Sequence, residues 1–357
     1  MNNLTVTLLG VTFENPLMPA SGPIVGTLDN LRFFNDSKTG AVVTKTISVE
    51  GAQVAKPCIV ASKHTVYNTE LWSEKPLTEW TDHILPAFMA LKKKPLLVSL
   101  GYTAADADIL VPRLDEFADF FEVSTHYGKD ELGPLVSSIV RHTDKPLFIK
   151  LSPHVTDYLG FIEEAVKFGA KGVVAVNSVG PGTVVDLKRR AVTLGLEGGK
   201  SWISGPAIKP IALNRVMNIR KNFPSLPIIA TGGVASAEDV LEFILAGADL
   251  VQMLSAALIN GRGVYDRIVD DLPRAMARYD IESIESLRLT PLNPLPQGPG
   301  GHPLVNHETC TQCLICVKVC PEEAMSLQSV ITCDTTRCMQ CGLCQSRCPV
   351  DAIEGVL

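Results

Sequence analysis

Short apolar runs separated by amphipathic stretches set the rhythm of most of the chain. Eight runs, at 16–20, 41–44, 95–98, 120–123, 146–149, 172–176, 227–230 and 250–253, are too short for helices and read as strands buried on both faces. Helical periodicity occupies most of the gaps. The stretch 236–247 opens on Ser236, carries Asp239 three residues on and stops at Gly247, the pattern of a capped helix. Eight buried strands alternating with helices predict an α/β fold, a (β/α)8 barrel. The competing arrangement, a doubly wound open sheet, lacks a Gly-x-Gly-x-x-Gly turn after its first strand.

The rhythm breaks at 291–304, where Pro and Gly dominate and neither a helix nor a central strand can form. A barrel over 1–290, a linker over 291–304 and a small domain over 305–357 are therefore expected. The small domain holds two cysteine runs of identical spacing, Cys310, Cys313, Cys316, Cys320 before Pro321, and Cys338, Cys341, Cys344, Cys348 before Pro349. The runs lie 28 residues apart, which marks an internal duplication. This spacing is that of two [4Fe–4S] clusters, the fourth cysteine of each run ligating the other cluster. One cluster is thus assigned Cys310, Cys313, Cys316 and Cys348, and the other Cys338, Cys341, Cys344 and Cys320. Zinc would take two separated pairs of ligands, and disulfides an oxidising compartment, so both fit the runs poorly. So small a ferredoxin-like domain has little apolar core and draws stability from its clusters.

Composition narrows the remaining classes. A net charge of −6 with acids and bases mixed argues against a nucleic-acid surface. The N-terminus has neither a basic segment nor a long apolar run, so neither a signal peptide nor a membrane span is expected, and a cytoplasmic location follows. The two leftover cysteines, Cys58 and Cys333, read as structural thiols.

Barrel chemistry sits where strands end. Those ends carry Ala20-Ser21-Gly22, Lys45, Ser99-Leu100-Gly101, Ser124-Thr125-His126-Tyr127, Lys150, Asn177-Ser178, Gly232-Gly233 and Leu254-Ser255. Two lysines at a barrel mouth are costly unless they meet an anion or a cofactor. Gly232-Gly233 and Leu254-Ser255 follow strands 7 and 8, where many barrels bind a phosphate. Together with Asn177, these residues favour a phosphorylated cofactor.

Five segments, 41–47, 68–71, 150–157, 204–213 and 230–234, carry a family likeness. Over essentially its whole length the chain resembles the class 1 dihydroorotate dehydrogenases, and within them the flavin and ferredoxin subunit of dihydropyrimidine dehydrogenase. The likeness implies FMN in the barrel, with Lys45 and Lys150 near the flavin ring and Ser21 and Asn177 beside it. Ser204-Gly205, Gly232-Gly233 and Leu254-Ser255 would surround its phosphate, with Ala20 and Ser99 completing the cofactor set. Asn68, Ser124, Asn177 and Ser178 fall at substrate-facing positions, suited to a flat hydrogen-bonding ring or an amide. The stretch 185–189 is similar to one in NAD-linked dihydroorotate enzymes.

One departure is informative. Where the family carries a proton-exchanging cysteine or serine after strand 4, this chain has Tyr127, with His126 beside it and Ser124 in place of an asparagine. A phenol or an imidazole can serve as the acid, so Tyr127 and His126 are the catalytic expectation. The expected activity is addition or removal of hydrogen across a C–C bond next to a carbonyl, with pyrimidine ring reduction as the leading form. A reductase of another unsaturated acid, amide or thioester, and an electron-transfer subunit with an inactive barrel, are the alternatives. No nicotinamide fingerprint occurs, so electrons are expected from a partner subunit with FAD and NAD(P)H or from a soluble ferredoxin. A small-molecule substrate and a homo-oligomer are also expected. Trp72, Trp80 and His64 suggest either a lid or a packed aromatic edge, and Lys188-Arg189-Arg190 with Lys200 either a grip on an anion or a solvated charge run.

Overall fold

A computed structural model describes residues 3–124, 129–194, 197–293 and 300–357, and clusters the chain into two compact units, 1–292 and 293–357. In the first unit the eight apolar runs become β1 (Leu17–Pro19), β2 (Val42–Val43), β3 (Leu96–Leu100), β4 (Phe120–Ser124), β5 (Leu147–Lys150), β6 (Gly172–Ala175), β7 (Ile228–Thr231) and β8 (Leu250–Met253). All pair in parallel in the order β1-β8-β7-β6-β5-β4-β3-β2. The Gly40 amide donates to the Leu17 carbonyl at 2.8 Å and draws the two ends of the sheet together. Every residue of β3 to β8 is buried, because barrel strands meet side chains inside and helices outside. The (β/α)8 expectation is met.

The helices that follow the strands are α1 (Leu28–Asp36), α2 (Leu85–Met89), α3 (Ala104–Leu114), α4 (Lys129–Arg141), α5 (Tyr158–Lys167), α6 (Lys209–Asn222), α7 (Ala237–Leu245) and α8 (Val264–Arg278). Residue chemistry sets the bounds of α7. Ser236 Oγ accepts from the Asp239 amide at 3.1 Å, the Asp239 carboxylate accepts from the Ser236 amide at 3.0 Å, and Gly247 turns the chain away at φ +107°. Over the barrel mouth lies an element that periodicity does not announce, a four-stranded antiparallel sheet ordered Val179–Gly182, Ser201–Ser204, Val66–Asn68 and Ile59–Ala61. It combines segments from the loops after β2 and β6.

The second unit is ferredoxin-like and repeats itself in backbone as well as sequence. Short helices Ile315–Val319 and Leu343–Ser346 follow corresponding cysteines. Left-handed residues recur in pairs at the duplication offset, Gln312 with Gln340, Leu314 with Gly342, and Glu323 with Asp351. Its small core is Cys316, Met325, Ile331, Cys344 and Ile353. Leu304–Val305 pairs with Ile353–Glu354, so the stretch read as linker ends inside a strand, its last residue being held by the partner strand's backbone. Among the described residues no helix is long and apolar enough to cross a membrane.

Candidate active site

A cavity of about 490 Å³ opens at the C-terminal ends of the strands, walled on its outer side by the antiparallel sheet. That volume lies in the range of small-molecule sites. Of the expected cofactor residues, Ala20, Ser21, Lys45, Lys150, Asn177, Ser204, Gly232, Gly233, Leu254 and Ser255 line it, as do Asn68, Ser124, Asn177 and Ser178 from the expected substrate set. Ser99 and Gly205 do not. Ser99 is fully buried one layer below, its hydroxyl 3.1 Å from that of Thr46, because its strand position points into the barrel's polar floor. Gly205 adjoins the wall at φ +94°, where an added Cβ would come 3.0 Å from the His64 carbonyl oxygen. Tyr127 and His126 lie outside the described residues; Ser124 is the last described residue of β4.

Both cavity lysines have carboxylate partners. Lys45 Nζ lies 2.5 Å from Glu70 Oε2, the two side chains being 8% and 11% exposed. Glu70 also accepts from the Cys58 thiol at 3.2 Å. Burial pushes the Glu70 carboxyl upward, but the hydrogen bond and charge of Lys45, helped by Cys58 and Lys56, hold it below its ordinary value. Burial, and then the Glu70 contact, push the Cys58 thiol up, so Cys58 stays protonated and donates. Lys56 stands 3.8 Å from Glu70 and is shared with Glu74 at 3.1 Å. On the opposite wall Lys150 Nζ lies 3.1 Å from Glu122 Oε1. Among the described lining residues Lys45 and Lys150 are the cations.

The far end of the cavity is built for close approach. Gly232 and Gly233 follow β7 at φ +122° and +85°, and a Cβ on Gly233 would fall 2.7 Å from the Lys209 amide nitrogen at the start of α6. These glycines leave bare backbone at the wall. Ser255 Oγ donates to Ser204 Oγ at 2.8 Å and joins the end of β8 to the antiparallel sheet.

Glu70 and Cys58 escaped the sequence-based site. In sequence Glu70 carries no motif of its own, and Cys58 has the look of a structural thiol. Their signal is joint and spatial, since strands Ile59–Ala61 and Val66–Asn68 pair antiparallel and bring 58 beside 70. Trp72 lines the cavity with Tyr102, ring centroids 5.4 Å apart, whereas Trp80 is wholly buried. Trp80 is thus a packed aromatic, and His64 contributes a backbone carbonyl that accepts from the Ala207 amide at 3.1 Å.

In the second unit the cysteines surround two small cavities. Cys320, Cys338, Cys341 and Cys344 line one, and Cys310, Cys313, Cys316 and Cys348 the other. Each takes three cysteines from one run and the fourth from the other. Amides of Ala324 and Ala352 donate to Cys320 Sγ and Cys348 Sγ, both at 3.2 Å, as expected of sulfurs prepared to carry negative charge.

A (β/α)8 barrel with a lysine-bearing mouth, followed by a ferredoxin-like unit, defines an electron-transferring oxidoreductase. The profile of the dihydroorotate dehydrogenase family matches residues 3–276, and that of the 4Fe-4S dicluster domain matches 305–352. The chain belongs to the dihydroorotate dehydrogenase family and is a flavin-dependent oxidoreductase acting on CH–CH groups. Similar proteins include the catalytic subunits of dihydroorotate dehydrogenase B (NAD(+)) from Pyrococcus abyssi, 32% identical over 300 residues, and Halalkalibacterium halodurans, 31% identical over 303 residues. Each alignment covers 80% of this chain and 97% of the relative.

Proposed function

We propose that the barrel binds FMN and acts on a pyrimidine-like ring that carries no carboxylate, in the manner of dihydropyrimidine dehydrogenase. Two [4Fe–4S] clusters in the second unit would link it to a separate FAD- and NAD(P)H-dependent subunit or a soluble ferredoxin. The observation that carries the substrate reading is the Lys45–Glu70 pair. Dihydroorotate is a carboxylate and would gain from a free cation, yet among the described lining residues both lysines already face a carboxylate of the protein. An anion placed there would meet a Lys45 charge that Glu70 already balances, so little net attraction is left to it. A neutral ring needs no such attraction. Asn68 beside Glu70, and Asn177 with Ser178 across the cavity, offer donors and acceptors for lactam edges.

FMN suits the residues present. Gly232, Gly233 and Ser255 form a wall whose bare backbone a phosphate can approach, and Lys45 and Lys150 stand where the ring would lie. Bound there, the flavin supplies hydride exchange with the substrate and single-electron exchange with the clusters. The protein's part is to hold the substrate ring between Asn68 and Asn177, to place Lys45 and Lys150 beside the flavin, and to move a proton at the substrate's neighbouring carbon. Tyr127, with His126 beside it, is our choice for that proton. The readings as an acid, amide or thioester reductase or as an inactive subunit find no separate support in the cavity.

Titrating oxidised holoprotein with uracil and with orotate, read by perturbation of the flavin's visible band, tests the proposal. Uracil should bind at least about tenfold more tightly, a difference of about 1.4 kcal/mol. Tighter binding of orotate would overturn it. Chemical analysis should find about one FMN and about eight irons per chain.

A further inference from the structure

Beneath the cavity lies the carboxylate that pairs with Lys150. Glu122, in the middle of β4, is wholly buried, and its neighbours Phe120, Phe121 and Val123 are buried apolar residues. An unpaired carboxylate here would be prohibitively costly. Its contacts are few and specific. Oε1 receives Lys150 Nζ at 3.1 Å and lies 3.4 Å from Ser99 Oγ, while Oε2 accepts from the Gln252 amide at 2.7 Å. Lys150 Nζ also lies 3.3 Å from Gln252 Oε1. The four side chains come from β3, β4, β5 and β8, and only Lys150 among them lines the cavity. From Ser99 a line of hydroxyls, Thr46 at 3.1 Å and then Ser21 at 3.0 Å, returns to the cavity floor.

We infer that Glu122 is a positioning residue that governs the flavin through Lys150. This rests on the proposal that flavin occupies the cavity. Gln252 and Ser99 fix the carboxylate, the carboxylate fixes where the Lys150 ammonium stands, and its negative charge partly offsets that ammonium. Reduction adds negative charge to the flavin, which a cation beside the ring favours. Glu122 therefore restrains how readily the bound flavin is reduced, without touching it. The other charged groups facing the cavity, Lys45 and Glu70, form a pair of their own on the opposite wall.

The test is Glu122→Gln in the full-length holoenzyme, a near-isosteric change that removes the charge and keeps hydrogen-bonding capacity. The readout is the ratio of reduced to oxidised flavin in dye-equilibrated anaerobic protein at a fixed potential. The pH should be about 6.5, far below the ordinary lysine range. With Lys150 no longer offset, the ratio should rise about tenfold, equivalent to about 30 mV for a two-electron couple. Adding Lys150→Gln removes both charges, and the ratio should return to within about twofold of native, since such pairs are replaceable by neutral groups. A native ratio in flavin-loaded Glu122→Gln protein overturns the inference, and so does a tenfold rise that persists in the double variant. If Glu122→Gln does not fold, the double variant decides alone, because a ratio displaced tenfold from native would mean the charges do not offset each other. Native protein that binds no flavin would sink the flavin proposal instead.

Discussion

In the proposed reading, Glu70 suits the cavity to a neutral ring by occupying the Lys45 ammonium. Replacing it by Gln frees the Lys45 ammonium and should shift selectivity toward dihydroorotate over dihydrouracil by at least about tenfold in kcat/KM, about 1.4 kcal/mol. The same residue gives an acid-side signature. Its carboxyl is held below its ordinary value by Lys45, so its contribution to stability is full above the ordinary glutamate range near about 4.3 and is lost as pH falls through the lower, folded value. Native protein should therefore exceed Glu70→Gln in thermal stability at neutral pH, and the gap should close in acid, read by fluorescence of released flavin. A gap that persists in acid would show that the carboxylate's charge is not the source. Tyr127→Phe should keep FMN and both clusters yet slow turnover about 10²-fold or more, with His126→Ala costing less. Near-native turnover in Tyr127→Phe would move the acid elsewhere. The two carboxylates show what was hard to read from sequence. Glu122 interrupts an apolar run, a sign of a buried partner, but the partner, Lys150, is 28 positions away and only strand pairing reveals it.

At the scale of elements, the eight strands and the capped α7 were legible because their causes are local. A strand buried on both faces must be apolar throughout, and a capping box sits within four residues. The antiparallel sheet over the mouth was not legible. Its strands are three or four residues long and half-buried, and its two halves meet across more than a hundred residues, as in Trp202 with Asn68. The turn after β7 offers a sharp test. Gly233→Ala forces a Cβ against Lys209 at a left-handed φ, a strain of about 1–3 kcal/mol at the wall proposed for the phosphate. Flavin affinity should fall at least about tenfold with the clusters intact, measured by equilibrium dialysis of FMN. Unchanged affinity would place the phosphate elsewhere. By contrast, Ser236→Ala removes only a cap and should cost about 1 kcal/mol of stability without affecting the flavin.

For the whole molecule, the ferredoxin-like unit is the part most fully written in sequence, since spacing sorts its cysteines into two sets and the same two sets line its two cavities. Cys320→Ala should therefore damage the cluster held by Cys338, Cys341 and Cys344, although Cys320 belongs to the first run. Loss of the other cluster, seen by electron paramagnetic resonance, would contradict the crossed arrangement. The barrel's choice of substrate is read most directly in the flavin half-reaction. Oxidised holoprotein is mixed anaerobically with dihydrouracil or with dihydroorotate, and bleaching of the flavin's visible absorbance is followed without any electron-transfer partner. Dihydrouracil should bleach the flavin rapidly and dihydroorotate little; bleaching by dihydroorotate alone would contradict the proposed neutral-ring substrate.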